Sequence, residues 1–487
     1  MTPANVTPGS FGKLFSLPVD GHVYTQPLFV PNVAIAGGTH NVIFVATQND
    51  TAFAFDADQQ GPPLWKTSLV NGAGGEGAVP CNAGAVPVDG CSIAPTIGVT
   101  ATPVIDIGRN AIYIEARSTQ GGAFFHKLHA LDLSTGAEKF GGPVTITASV
   151  PGTASDSAGG NVVFNPLREN SRPGLLEVNG VVYMTYASIS DVSPYHGWLL
   201  GYNADTLQPV SVFNTTPNGA RAGIWGNNGP AADANGNIFF VTGNGTANAA
   251  GNSFGNAFIK LAPGNGQLQP ADFFMPSDAS ALNDIDTDLG SAGLTLLPDQ
   301  AGPHPHMLIS AGKSGKIYLI DRDNMGKFNT TDQVVQEVPN AVGNSPDGSD
   351  RNFYSPVFFN GTVFFSGGGD VVKGFSLQNG LLSTTPSMQA STHPFSFPGA
   401  GLVLSANGNS AGILWALEWH ADNSTGPTHT GTLHAYDATN LKELWNSDQS
   451  GKDGLGLTTR LNVPLVINGK VYVSGESAVI ALGLLPH

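Results

Sequence analysis

HALDLSTGAEKF, residues 129–140, and HAYDATNLKELW, residues 434–445, are two copies of one pattern: an apolar run, an Asp-opened polar turn, and a second run ending on an aromatic ring. The pattern recurs as FAFDADQQGPPLW from Phe53, LGYNADTLQPV from Leu200, FIKLAPGNGQLQP from Phe258, YLIDRDNMGKF from Tyr318, KGFSLQNGLLS from Lys373 and a truncated IALGLL from Ile480. Spacings of roughly 50 to 75 residues exceed those of helical solenoids and suit four-stranded propeller blades carrying loop insertions. The expected fold is therefore all-β, an eight-bladed β-propeller of four-stranded antiparallel blades.

Each repeat supplies the other strands in order. An inner strand opens near Pro, as in QPLFV from Gln26, TPVID from Thr102, SPVFF from Ser355 and VPLVI from Val463, and Pro suits a strand start. A middle strand follows Asn-Gly, as in NGVVYMTY from Asn179, NGTVFFSG from Asn360 and NGKVYVSG from Asn468, a strong hairpin signal. The last repeat stops after three strands, whereas FGKLFSLPV, Phe11 to Val19, is an orphan outer strand. Pairing Phe11–Val19 with the segment from Asn462 to Leu485 completes the closing blade and removes an exposed sheet edge. With no internal linker, residues 1–487 read as one domain.

Of 487 residues, 41% are hydrophobic and only 11% charged, with a net charge of −16. No basic surface is left to neutralise phosphates, so nucleic acid is excluded as a partner. A polar, weakly ionic surface leans toward an extracytoplasmic location, periplasmic or secreted. No apolar run approaches the length of a membrane span, about 18 residues. Met1-Thr2-Pro3-Ala4 lacks the features of a signal peptide, so an exported protein would have lost its signal from this chain. Cys81 and Cys91 flank a Gly/Ala/Pro-rich insertion, where a disulfide would staple a loop with little apolar content. Haem-attachment, nucleophile-elbow, Walker and zinc-helix motifs do not occur, which removes the hydrolase and nucleotide readings. His304 and His306, and His420, His429 and His434 with Glu418 and Asp437, are expected to be polar turn residues rather than metal ligands. Trp65, Phe140 and Trp445 are expected to fill the seams between blades.

At its Asp-opened turns the chain resembles the quinoprotein (PQQ-like repeat) propeller superfamily of bacteria, which includes PQQ-dependent alcohol dehydrogenases and outer-membrane assembly propellers. The resemblance implies a site. In IWGNNGPAADANGNIFFVTGNGT, Trp225 stands where the dehydrogenases place the floor beneath a planar quinone, and Asn244 where they place a calcium ligand. Asp286 or Asp288 matches the catalytic base, with both implied as metal ligands. The Asp-x-Asp spacing resembles the lanthanide-binding variants. Lys313 matches the cation near the quinone oxygens. Asp191 stands near the family's Glu ligand, shorter by one carbon and offset by one residue. The adjacent Cys-Cys pair of many such enzymes is missing.

Two functions are thus implied. One is a secreted binding or scaffold propeller without cofactor, its partner a protein, glycan or small-molecule alcohol. The other is a PQQ- and Ca²⁺- or lanthanide-dependent dehydrogenase oxidising an alcohol or sugar hydroxyl.

Overall fold

Asn179-Gly180, Asn360-Gly361 and Asn468-Gly469 have positive φ at both residues, 55° and 75°, 47° and 76°, 49° and 74°. That is the backbone of a type I′ turn, whose twist matches the strands it joins. Each pair is the whole loop between two strands, Leu176–Val178 and Val181–Ser188, Val357–Phe359 and Thr362–Phe365, and Leu465–Ile467 and Lys470–Ser474. The Asp turns act at the next hairpin. Oδ1 of Asp132 accepts the N–H groups of Ser134 and Thr135 at 3.0 and 3.1 Å, and Oδ1 of Asp437 accepts that of Thr439 at 2.9 Å. The carboxylate thus closes the turn in place of a backbone carbonyl.

The structure is a computed structural model that describes residues 1–487 except 84–90, 265–266, 346–350, 421–427 and 487. The tip of the turn copy that begins at Phe258 lies outside the described residues. Among those described, eight blade sheets form, in the order inner, second, third and outer strand. The fold class is an eight-bladed β-propeller.

The chain divides into two compact units, Met1–Ile146 with Ala204–Leu207 and Val403–His487, and Thr147–Asn203 with Gln208–Leu402. In the first unit, blade 1 is Leu28–Ile35, Gly38–Thr47, Thr51–Asp56 and Trp65–Ser68, and blade 2 is Val104–Asp106, Ala111–Gln120, Ala123–Asp132 and Val144–Thr145. Blade 7 runs through Ser410–Trp419, Thr428–Asp437 and Glu443–Asn446. Blade 8 joins Leu465–Ile467, Lys470–Ser474 and Ala478–Leu484 to the N-terminal strand Phe11–Pro18, in antiparallel register from Phe11 opposite Leu484 to Pro18 opposite Ala478. The expected closure is present, and Val19 N–H extends it by donating to Ser477 C=O at 2.9 Å.

In the second unit, blade 3 is Leu176–Val178, Val181–Ser188, Trp198–Asn203 and Pro209–Asn214, and blade 4 is Ala231–Ala232, Ile238–Val241, Phe258–Gly264 and Gln267–Met275. Blade 5 is Thr295–Leu296, Met307–Ala311, Ile317–Asp321 and Gln336–Val338, and blade 6 is Val357–Phe359, Thr362–Phe365, Lys373–Gln378 and Met388–Gln389.

The core lies between sheets rather than within any one. One buried cluster joins Phe44, Ala54 and Trp65 of blade 1 to Ile112 and Ile114 of blade 2. Another joins Phe239, Val241 and Phe258 of blade 4 to Leu308, Tyr318 and Ile320 of blade 5. Trp65 fills its seam as expected, with Nε1–H donating to Leu133 C=O at 2.9 Å across the blade boundary. Trp445 packs edge-on against Phe11 with ring centroids 4.9 Å apart. Phe140 stacks on Tyr113 at 6.4 Å.

Candidate functional site

Blade 4 leaves its second strand at Val241 into Thr242-Gly243-Asn244, and blade 5 leaves its second strand at Ala311 into Gly312-Lys313. Between these hairpins the short helix Ala279–Asp284 and the 3₁₀ turn Leu289–Ser291 frame Asp286 and Asp288. The backbone ties the pieces together: Lys313 N–H donates to Asp288 C=O at 2.9 Å, and Ala222 N–H to Asn244 C=O at 2.7 Å. Gly243 is obligatory here, since a Cβ would sit 2.6 Å from Trp225 Nε1 and collide with the Asp288 carboxylate.

Five residues singled out from sequence meet in this region of the second unit. Asp288 Oδ1 accepts the N–H of Asn244 at 2.7 Å and the indole N–H of Trp225 at 3.4 Å. Lys313 Nζ lies 2.9 Å from Asp288 Oδ2 and 3.1 Å from Asp286 Oδ2. Asn244 Nδ2 donates to Asp286 Oδ1 at 2.8 Å. The acids differ in setting: the Asp288 side chain is 10% exposed and that of Asp286 80%. Burial pushes the Asp288 carboxyl above its usual range, against the pull of Lys313 and of the Asn244 N–H. Burial alone would lower the Lys313 ammonium, but Asp288 and then Asp286 outweigh it and hold Lys313 above its ordinary value.

Asp191 stands apart. It is exposed, and its carboxylate accepts from Ser188 Oγ at 3.1 Å and from Tyr195 O–H at 3.2 Å. The Tyr195 phenol is pushed well above its usual range by burial, then by Asp191 and Asp288. The buried acid against His196-Gly197-Trp198 is Glu169, which accepts the His196 N–H at 3.2 Å and the Trp198 indole N–H at 3.3 Å. Its distance in sequence hid it.

Sequence reasoning also missed Asn256, Phe353 and Phe397. Asn256 is fully buried; it gives Nδ2–H to Asn244 Oδ1 at 3.0 Å and to Ala279 C=O at 3.2 Å, and takes the Leu289 N–H on Oδ1 at 2.9 Å. Phe353 lies 6.1 Å from Trp225 and 5.1 Å from Phe397, centroid to centroid. Lys313 Nζ sits 5.8 Å from the Trp225 ring and 6.0 Å from that of Phe353. An aromatic wall thus stands beside a carboxylate pair with its own internal cation.

A hard divalent cation requires oxygen donors. Asn244 does not offer one toward Asp286. Its oxygen is held by Asn256, which is itself locked by an acceptor bond on one side and a donor bond on the other. Turning the Asn244 amide over would set NH₂ against NH₂. The Lys313 ammonium already lies between both carboxylates. As arranged, Asn244, Asp286 and Asp288 do not fit a shared metal ion.

Of the other polar residues named from sequence, Glu418 is brought against both His434 and His420, with Nδ1 of His420 3.8 Å away. His304 and His306 each pair across the hairpin, with Asp321 and Asp323, both at 2.7 Å. His434 bonds Glu443 at 2.7 Å and lies 3.6 Å from Glu418, while His420 Nε2 bonds Thr432 Oγ1 at 2.7 Å. His429 packs edge-on against Trp419 with centroids 4.4 Å apart, and Asp437 closes its turn.

No family model matches the chain, and no curated sequence matches it. Solved structures do. The quinohemoprotein alcohol dehydrogenase ADHIIG of Pseudomonas putida HK5 matches with a TM-score of 0.56 and 14% identity, over 99% of this chain and 77% of its own. The quinohemoprotein alcohol dehydrogenase of Comamonas testosteroni matches at 0.55 and 13%, over 99% and 77%. BamB from Moraxella catarrhalis matches at 0.52 and 14%, over 97% and 99%. At these identities the likeness is one of fold, the eight-bladed β-propeller, and a shared fold does not carry a function.

Proposed function

We propose that this chain is an extracytoplasmic bacterial binding propeller, with a small polar recognition site at Trp225, Asn244, Asp286, Asp288, Lys313 and Phe353, and that it does not turn over its ligand. One observation carries this reading. The donors and acceptors of the site satisfy one another, with Lys313 between both acids and the Asn244 amide locked by Asn256. Such a site has charge and aromatic surface for recognition but presents no converging oxygen set for a metal. Exposed Asp286, beside the wall of Trp225 and Phe353, suits the hydroxyls of a glycan or small alcohol, or the polar side chains of a protein partner. The Cys81–Cys91 bridge supports an oxidising compartment.

A second reading, a PQQ- and Ca²⁺- or lanthanide-dependent dehydrogenase, is favoured by the meeting of five expected residues within one hydrogen-bonded group. The two readings part in a single experiment. PQQ with Ca²⁺, and separately with a lanthanide, is added to metal-free protein, and the melting temperature and dye reduction by an alcohol panel are recorded. A binding propeller shows no shift beyond that of the metal alone and no dye reduction. A cofactor-dependent rise in melting temperature, which tight binding enforces by mass action, would overturn the binding reading.

A further inference from the structure

Beyond the outer strand of blade 4, Ser277 and Asp278 lead into the short helix Ala279–Asp284, whose far end turns directly into Asp286 and Asp288. Leu282 N–H donates to Asp278 C=O at 3.0 Å and Thr287 N–H to Leu282 C=O at 2.8 Å, so one hydrogen-bonded run joins Asp278 to the acids of the recognition site. Blade 5 fixes the start of that run. Asp332, between the third and outer strands of blade 5, takes the Ser277 N–H on Oδ1 at 2.7 Å. Lys316 sets Nζ 3.5 Å from Asp278 Oδ2 and 3.7 Å from Glu337 Oε2 on the outer strand. Asp278 holds the N-cap position but makes no capping hydrogen bond with its side chain, so its carboxylate serves this contact and not the helix.

The contact is short of donors. Glu337 stands among Asp278, Asp332, Lys316 and Tyr318, its cross-strand neighbour. Oε1 of Glu337 and Oδ1 of Asp278 are shielded from solvent and receive no hydrogen bond from a neighbouring donor, and the hydroxyl of fully buried Tyr318 bonds neither. Three carboxylates thus face one ammonium. Glu337 and Asp332 are nevertheless hydrogen-bonded to each other. Ionised carboxylates only accept, so that bond exists only while one proton is held between them.

We propose that Glu337 and Asp332 form a proton-locked clasp between blades 4 and 5, which holds helix Ala279–Asp284 in place while the shared proton is present and releases it, with Asp286 and Asp288, once the proton is lost. Ligand binding at Asp286 and Asp288 then weakens toward alkaline pH, a consequence that rests on the recognition site being one. The clasp itself does not.

The working range is set by the surroundings of Glu337. Burial, then the bond to Asp332, pushes its carboxyl from 4.5 up to about 7, with the charges of Asp332 and Asp278 adding and Lys316 opposing. A raised value means that the contribution of the clasp is fully present below 4.5 and is lost as pH rises through about 7. With 4.5 in the opened segment and about 7 in the closed one, the open population grows about tenfold between pH 6 and pH 8.

The test is amide hydrogen exchange of the full chain at pH 6, 7 and 8, read by mass spectrometry on a peptide covering residues 277–288 and on a control covering Met307–Ala311, the second strand of blade 5. Each rate is divided by its intrinsic value, so that it follows the open population. In wild type the first peptide should speed up about tenfold from pH 6 to pH 8, and the control should not. Glu337→Gln supplies an amide donor to Asp332 at every pH, and Asp332→Asn supplies one to Glu337 while keeping an oxygen for Ser277; both should hold the pH 6 rate throughout. Should one variant fail to fold, the other decides. Equal corrected rates at pH 6 and pH 8 in wild type, a rise that persists in the folded variants, or the same rise in the control would each overturn the proposal. No ligand is added, so failure here leaves the recognition site standing, and failure of that site leaves the clasp standing.

Discussion

Asn244 Nδ2 lies 2.8 Å from Asp286 Oδ1, so an amide donor and not an amide oxygen faces the more exposed acid of the pair. Asn256 enforces this orientation from behind. Asn256→Ala should strand the Asn244 oxygen and the Leu289 N–H in the interior, at a cost of about 2–4 kcal/mol. Urea unfolding measures that loss. A variant as stable as the parent would mean that the Asn244 amide is free to turn and that the case against a metal there fails.

Lys313→Met removes the cation that lies 2.9 Å from the buried Asp288. Breaking a buried pair at one end costs about 3–5 kcal/mol. The pH dependence has a definite sign. The folded-state value of Asp288 lies above its ordinary 3.8, so its contribution is fully present below 3.8 and is lost as pH rises through the folded value. Without Lys313 that loss grows and extends to higher pH. Urea midpoints from pH 4 to 8 should converge with wild type at the acid end and separate toward neutrality; a constant gap would show that the ion pair is not the cause.

Phe11 is fully buried between Trp415, at 5.3 Å, and Trp445, at 4.9 Å. It carries the N-terminal strand into the seam of blades 7 and 8. Phe11→Ala should cost about 3–5 kcal/mol, and deletion of the first 20 residues should end cooperative unfolding by uncovering the edge of Ala478–Leu484. Calorimetry on both variants checks this, and an unchanged transition in the deletion would remove the closing strand from the account of stability.

The blades were legible because their signals are local. Asn-Gly sets a hairpin by its own φ preferences, and Asp132 or Asp437 closes a turn with neighbours two or three residues away. The three-strand final repeat announced its partner for the same reason, as a missing element in a counted set. Trp225, Asn244, Asp286, Asp288 and Lys313 could be named only through the resemblance to the quinoprotein dehydrogenases, whose order of site residues the chain follows. Asn256, Phe353 and Glu169 could not, since what they do depends on side chains 12 to 128 residues away, such as Asn244 and Trp225. Nor could sequence show which atom of Asn244 faces Asp286. That choice is made by Asn256, which lies outside the quoted motifs and bonds the Asn244 oxygen directly.

Cys81 and Cys91 are bonded, with Cα atoms 5.5 Å apart. Cys81 lies at the margin of blade 2, where Gly77–Pro80 pairs with Thr96–Ile97 and Cys81 N–H donates to Pro95 C=O at 3.1 Å. A bridge across a separation of 10 residues restricts the unfolded chain by about 2–3 kcal/mol in the loop-entropy treatment. The double change Cys81→Ser with Cys91→Ser should therefore lower the unfolding midpoint and free the margin of blade 2 first, seen as faster amide exchange at Val79 and Ile97 than in the blade interior. Alkylation without reductant, followed by mass spectrometry, should find both thiols blocked in protein exported to an oxidising compartment. Two alkylated cysteines in such material would count against the bridge and against the extracytoplasmic location together, because the location draws its structural support from this one bond.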